Sequence, residues 1–356
     1  MAVVEYKCPS CGAALRFDSS RQKLFCDSCG NEFDVEAMNS YMEGDEKDSF
    51  DWPEEDNENE WLESELEELV AYSCPSCGGE IVTQATTAAS SCPFCGNPAI
   101  YTKNISGMLK PDCIIPFKLN KKQATEAFEK FFSNKPLLPP MFKSQNTISE
   151  IKGIYVPFWL FGCSAKANAT FRGTTSRSWS DKNYRYTETR HYALKRSGNI
   201  SFEDVPVDAS KQADDAYMQA IEPYRYVDIK EFKTSYLSGY FADRYDEDVE
   251  ECQPKANERI TRSTIQQLAS TCSGYSGVTE ESSSVQLQQA QTRYALLPVW
   301  MLSVKYNGED FHYAMNGQTG KFVGKLPIDN ARYLMFLIGL SAAFTAIATF
   351  VASLLI

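Results

Sequence analysis

Eight of the twelve cysteines fall into two copies of one pattern. Cys8, Cys11, Cys26 and Cys29 recur 66 residues later as Cys74, Cys77, Cys92 and Cys95, each copy reading C-x2-C-x14-C-x2-C. Each copy opens on Cys-Pro-Ser-Cys-Gly and ends in Cys-Gly-Asn. A structural zinc ion takes four thiolates at the corners of a tetrahedron, and a C-x2-C turn presents two of them from one tight knuckle. The glycine after each second cysteine supplies the positive φ that such a turn requires. Two knuckles joined by a short hairpin make a zinc ribbon, so the spacing predicts two ribbons in tandem, each holding one structural zinc. On a segment this small, about 10 kcal/mol of metal binding is folding free energy.

Other chemistries of cysteine fit less well. The start MAVVEYKCPSCG has neither the basic nor the apolar region of a secretory leader, which argues against a disulfide framework. Cys92-Pro93-Phe94-Cys95 looks like a glutaredoxin dithiol, but one redox pair does not account for four pairs at matched spacing. Rubredoxin-like iron sites use similar knuckles with a longer central spacing. Cys113, Cys163, Cys252 and Cys272 have no paired spacing and read as ordinary thiols.

The elements that must position the ribbons follow from charge and hydropathy. The chain carries a net charge of −12, and Glu43 to Glu68 alone holds fourteen acidic residues against Lys47. The remainder is close to neutral, and neither ribbon carries the basic stripe that phosphate contacts need, which disfavours nucleic acid as a partner. The acidic stretch resists collapse and reads as a linker. Leu62, Leu66 and Leu69 share a face of a short amphipathic helix near its end, for docking on the chain's own ribbon or on a partner.

Leu334 to Ile356 is 23 residues without a charge. At ~1.5 Å per residue this reaches about 35 Å, enough for a hydrocarbon core of about 30 Å. Lys321, Lys325 and Arg332 precede it, so the positive-inside rule places the N-terminal bulk in the cytoplasm of a single-pass membrane protein. Ser341, Thr345, Thr349 and Ser353, spaced by four, form a polar stripe with small residues beside it, suited to lateral helix association. The alternative is that each hydroxyl bonds its own helix.

Between ribbon and anchor, the alternation predicts an α+β domain rich in antiparallel sheet. Asn120 should cap a helix with Ala124, Ala127, Phe128 and Phe131 on one face. Asn307-Gly308 is a two-residue hairpin turn that opposes Val304 with Phe311, Leu302 with Tyr313 and Trp300 with Met315. Phe171 to Ala193 reads as a more polar meander. Helices are expected over 210–220 and 255–269, with a flexible loop over 270–284. Pro157-Phe158-Trp159 and Pro298-Val299-Trp300 suggest an internal repeat. The domain plan is therefore a ribbon over 1–36, the acidic linker with its short helix over 37–70, a ribbon over 71–102, the α+β domain over 103–332 and a transmembrane helix over 333–356.

No catalytic constellation emerges, and the chain reads as a non-enzyme. His191 and His312 sit at outward strand positions. Gly317-Gln318-Thr319-Gly320-Lys321 lacks phosphate-loop spacing and reads as a turn. Gly274-Tyr275-Ser276-Gly277 misses a glycine of the nucleophile elbow.

The tandem knuckles, Val205-Pro206-Val207-Asp208, Ile221-Glu222-Pro223-Tyr224, Tyr236 to Ala242, and Leu297 to Trp300 with Met315 to Lys321 resemble a family of bacterial TFIIB-type zinc-ribbon membrane proteins over essentially the whole chain. Members are sometimes labelled replication-restart helicases, but this chain has no nucleotide-binding loop or motor motif. Relatives similar to proteins encoded beside SPFH-domain and phage-shock proteins imply a role in assembling a membrane-stress or membrane-microdomain complex. The reading is a membrane-anchored adaptor that docks cytosolic or membrane-associated proteins. The alternatives are a membrane-tethered nucleic-acid-binding ribbon protein and a thiol or metal sensor.

Overall fold

A computed structural model describes residues 6–19, 21–36, 38, 48–53, 61–87, 91–98, 101–103 and 109–355. Residues 43–47 and 54–60 of the acidic stretch, and Ile356, lie outside the described residues. In chain order the strands and helices are β1 (Arg16–Asp18), β2 (Lys23–Phe25), β3 (Glu32–Phe33), α1 (Glu63–Glu67), β4 (Leu69–Ser73), β5 (Glu80–Gln84) and β6 (Tyr101–Lys103). There follow β7 (Cys113–Ile114), α2 (Lys121–Ser133), α3 (Gln145–Ser149), β8 (Lys152–Ser180), β9 (Arg185–Asp208), α4 (Asp215–Ile221), β10 (Lys230–Glu231) and β11 (Phe241–Asp243). The chain ends in α5 (Val249–Ser270), β12 (Gly277–Tyr306), β13 (Glu309–Asn316), β14 (Phe322–Gly324) and α6 (Asn330–Leu355). The chain divides into two compact units, one of residues 1–55, 160–205 and 253–292, the other of residues 56–159, 206–252 and 293–356.

In the second unit, the Asn307-Gly308 turn sets the hairpin register expected from sequence. Val304 faces Phe311, Leu302 faces Tyr313 and Trp300 faces Met315. That face is the floor of a core roofed by α2, whose Ala124, Phe128 and Phe132 are fully buried. Asn120 caps α2 by accepting the Gln123 N–H at 2.9 Å, and the Gln123 carboxamide accepts the Asn120 N–H in return, a reciprocal capping box. The Trp300 indole is satisfied by donating to the Leu119 carbonyl at 3.1 Å.

The two P-x-W segments occupy equivalent places in this sheet. Strand β7 runs parallel to β12 with Cys113 opposite Ala295, three residues before Pro298. Strand β11 runs parallel to β8 with Phe241 opposite Ile154, three residues before Pro157. Seven residues after Cys113 comes the Asn120 cap, and seven after Phe241 comes Asp248, which caps α5 with Glu251 in the same reciprocal manner. In both places a short strand, a capped helix and a long strand follow in order, and each short strand pairs with the long strand of the other set. Both tryptophans are buried, and the Trp159 indole donates to the Glu247 carbonyl at 3.1 Å.

The first unit repeats the logic with the other helix. On β8, Cys163, Ala165, Ala167, Ala169 and Phe171 alternate inward against Ile260, Ile265 and Leu268 of α5. The three alanines keep that strand face low, which suits close helix approach. Beyond them β8 and β9 continue as a polar hairpin whose turn is held by Asp181, accepting the N–H groups of Asn183 and Tyr184 at 2.8 Å each.

Several expectations change. Residues 277–284, expected in a flexible loop, open β12, and Ser276 donates its N–H to the Thr174 carbonyl at 2.7 Å. Their Ser/Glu-rich composition conceals a strand whose pairing is long-range. The helix expected over 210–220 starts only at Asp215, because Asp214 is its extended N-cap and accepts the Tyr217 N–H at 3.1 Å. Helix α5 begins earlier than expected, at the Asp248 cap, and tolerates Pro254. Leu62, Leu66 and Leu69 do not share one helix: α1 has five residues, Leu62 is exposed before it, and Leu69 is buried at the start of β4, where pairing with Gln84 prevails. Within the acidic stretch, Asp48 to Trp52 is docked: Ser49 pairs alongside Gln286, and the Trp52 indole donates to Asn257 at 2.8 Å.

Helix α6 begins where Asp329 accepts the N–H groups of Ala331 and Arg332 at 3.0 and 3.2 Å. Over Asn330–Ser353 it is long and apolar enough to cross a membrane, with a mean hydropathy of 2.2. The hydroxyls of Ser341, Thr345, Thr349 and Ser353 bond the helix's own carbonyls, to Leu337, Ser341, Thr345 and Phe350 respectively. Their hydrogen bonding therefore asks for no neighbouring helix, and the stripe is left with its small size as the argument for association.

Candidate metal centres

All eight cysteines singled out from sequence converge into two clusters, Cys8, Cys11, Cys26 and Cys29, and Cys74, Cys77, Cys92 and Cys95. In each, the four sulfurs lie within 4.8 Å of one another and none is in a disulfide. The Cys8–Cys29 and Cys11–Cys26 sulfur pairs are 3.6 and 3.5 Å apart, and the Cys74–Cys95 and Cys77–Cys92 pairs 3.6 and 3.7 Å. Sulfurs about 2.3 Å from a central zinc ion would form tetrahedron edges of about 3.8 Å. Both clusters fit a metal ion of that size.

The backbone explains how. In all four knuckles the glycine N–H returns to the carbonyl of the first cysteine: Gly12 to Cys8, Gly30 to Cys26, Gly78 to Cys74 and Gly96 to Cys92, at 2.8 to 3.0 Å. The four glycines share φ values of 73 to 80°. This turn leaves backbone N–H groups pointing at the sulfurs. The Cys29 N–H draws the Cys26 thiol down to about 7 against the burial that opposes it. Burial would raise Cys74, but the N–H groups of Cys77 and Ser76 prevail and bring it to about 7. Burial pushes Cys77 up to about 11. Each cluster thus offers one sulfur ready to ionise near neutrality, and a bound cation would draw the protons from the rest.

Two residues of the repeated motif have a role that spacing alone did not disclose. In the first module Asn31, after the last Cys-Gly, donates its carboxamide to the Ser10 hydroxyl of the opposite knuckle at 2.8 Å. The signal was present, since Ser and Asn recur at the same places in both copies.

The modules differ in their support. The first has its own three-stranded sheet, β1–β2–β3, and exposes Cys11 and Cys29. In the second, β4 and β5 enter the large sheet, where Ala71 opposes Val82 and Val82 in turn opposes Ala242 of β11. All four of its cysteines are buried or half-buried. The Ser303 hydroxyl donates to the Phe94 carbonyl inside the last knuckle, and a cavity of about 210 Å³ beside Cys77 and Cys95 is lined by Asp214, Tyr217 and His312.

That cavity revises His312, expected on the surface: it is half-buried, with Nδ1 3.0 Å from the Ser303 hydroxyl. His191 is half-buried as well, and its Nδ1 finds no hydrogen-bond partner among the described residues. The phosphate-loop lookalike is a turn around the buried Asn316, whose carboxamide oxygen accepts the N–H groups of Gln318 and Thr319 at 2.9 Å each.

No family model matches the chain, and no solved structure matches it. It is 35% identical over 339 residues to a protein of Bacillus subtilis (strain 168) described as uncharacterized protein YdjG, covering 95% of this chain and 94% of that one. Similarity of this extent makes the chain a member of the YdjG family.

Proposed function

We propose that both clusters hold structural zinc, that α6 anchors the chain in the cell membrane with its bulk in the cytoplasm, and that the protein is an adaptor docking a cytosolic or membrane-associated protein. The observation that carries this reading is the first module. Its three-stranded sheet ends in β1 and β3, neither of which has a second strand neighbour among the described residues, and Phe17 on β1 is 48% exposed. A ribbon built this way offers edge strands and an apolar side chain to a partner, a mode of recognition that needs no charge. The second module spends its strands within the large sheet, so docking falls to the first. The resemblance to proteins encoded beside SPFH-domain and phage-shock proteins supports a membrane protein of those classes as the partner. The three basic side chains of the module's hairpin engage acids, Arg16 with Asp27, Arg21 with Glu32 and Lys23 with Asp34, which argues against a nucleic-acid role.

The test is gentle detergent extraction of the tagged protein from its own membranes, beside Cys8→Ser plus Cys11→Ser, with mass spectrometry of what co-purifies. The adaptor reading expects a membrane-associated protein lost from the variant while the variant itself stays membrane-bound. Equal recovery from both would refute docking through this ribbon. Nuclease-sensitive nucleic acid lost from the variant would favour the alternative.

A further inference from the structure

A divalent metal ion bound by four thiolates carries a net charge of −2, and taking that charge out of water is costly unless a cation faces it. The first module leaves the cost to solvent. Cys11 and Cys29 are exposed, and its hairpin cations are engaged with carboxylates.

The second module is less open to water: its Cys77 and Cys95 are half-buried where Cys11 and Cys29 are exposed. Here one cation enters. Lys152, the first residue of β8, is half-buried and donates from Nζ to the Ser91 carbonyl at 2.8 Å and to the Ser91 hydroxyl. Ser91 is the residue immediately before Cys92. Burial lowers the pKa of the Lys152 ammonium, and the charges of Cys92, Glu150 and Cys95 oppose that effect while Lys121 adds to it. A long aliphatic side chain thus places its charge on the residue next to the metal ligand Cys92, where a neutral donor would satisfy Ser91 equally well.

We propose that Lys152 is the counter-charge of the second metal centre, and that it makes the metal there the slowly exchanging one of the two. It acts through charge on the thiolates, without ligating the metal. The inference concerns metal retention, so its failure would leave the docking reading standing.

The test uses the full chain in detergent, loaded with zinc, and follows zinc release to an excess of a chromogenic chelator. Zinc content of each purified variant is measured first. The wild type should release one zinc per chain quickly and one slowly, and Cys8→Ser plus Cys11→Ser should remove the fast phase alone. Lys152→Gln keeps a donor for Ser91 and removes the charge. It should speed the slow phase about tenfold or more, the scale of outer-shell partners of metal ligands, and leave the fast phase unchanged. Lys152→Arg should restore the wild-type rate. If Lys152→Gln purifies with one zinc and Lys152→Arg with two, charge is again what matters. A slow phase unchanged in Lys152→Gln, or equal losses in the Gln and Arg variants, would overturn the proposal.

Discussion

Gly30→Ala isolates the backbone contribution to the first metal centre. Gly30 closes the second knuckle with φ of 73°, and its N–H returns to the Cys26 carbonyl at 2.9 Å. A Cβ added there meets no atom within 4 Å, so the substitution brings no clash, and the only cost is holding an L-residue in the left-handed region. That cost is about 1–2 kcal/mol. A ribbon this small folds together with its metal, so the unbound state is free of the strain and the whole penalty appears in binding. The expected effect is a zinc affinity about 5- to 30-fold weaker, at about 1.4 kcal/mol per factor of ten. Gly30→Asn should lose less, because asparagine tolerates this conformation better. The assay is competition against a calibrated zinc chelator, with Cys74→Ser plus Cys77→Ser in the background so that one centre is read. Unchanged affinity in Gly30→Ala would refute the reasoning, since it would mean the knuckle does not need the left-handed turn when metal binds. A loss above a thousandfold would refute it equally, because nothing in the surroundings supplies such a cost.

Phe128→Ala, at a site with no exposure under α2, should destabilise the second unit by about 3–5 kcal/mol, read as a lowered denaturant midpoint in detergent. Asn31→Ala unlatches the first module's knuckles and should cost about 1 kcal/mol, seen as faster zinc release from that centre alone. Burial raises the Asp243 carboxyl well above 3.8, against the Ser210 hydroxyl that donates to it. The folded state therefore holds this proton more tightly than the unfolded chain, so this group's contribution to stability is full below pH 3.8 and is lost as pH rises through the folded-state value. Asp243→Asn should flatten that decline in a series of denaturant melts, and an unchanged slope would contradict it.

What the sequence discloses is local or repetitive. The cysteine clusters follow from spacing because two knuckles and one hairpin close the site within about two dozen residues, a range in which backbone geometry dominates. The β12–β13 register follows from one Asn-Gly turn, and the paired P-x-W segments lie on two long strands that each pair with the other's short strand. What the sequence conceals depends on contacts far apart in the chain. Nothing near Cys74 discloses that β5 joins the large sheet through Val82 and Ala242, and so separates a half-buried second module from a first with its own sheet. Residues 277–284 read as a loop because their polarity hides partners on β8. Lys152 lies 61 residues from Ser91, and no pattern in its neighbourhood marks it as a counter-charge.

The proposed function stands on two tetrathiolate zinc centres organising this chain. Elemental analysis of the full chain, purified in detergent without added metal, tests it most directly, run beside Cys8→Ser plus Cys11→Ser and Cys74→Ser plus Cys77→Ser. Two zinc ions per wild-type chain are expected, and one in each variant that folds. Iron in place of zinc, or a wild-type chain without stoichiometric metal and with cysteines oxidised in pairs, would contradict it.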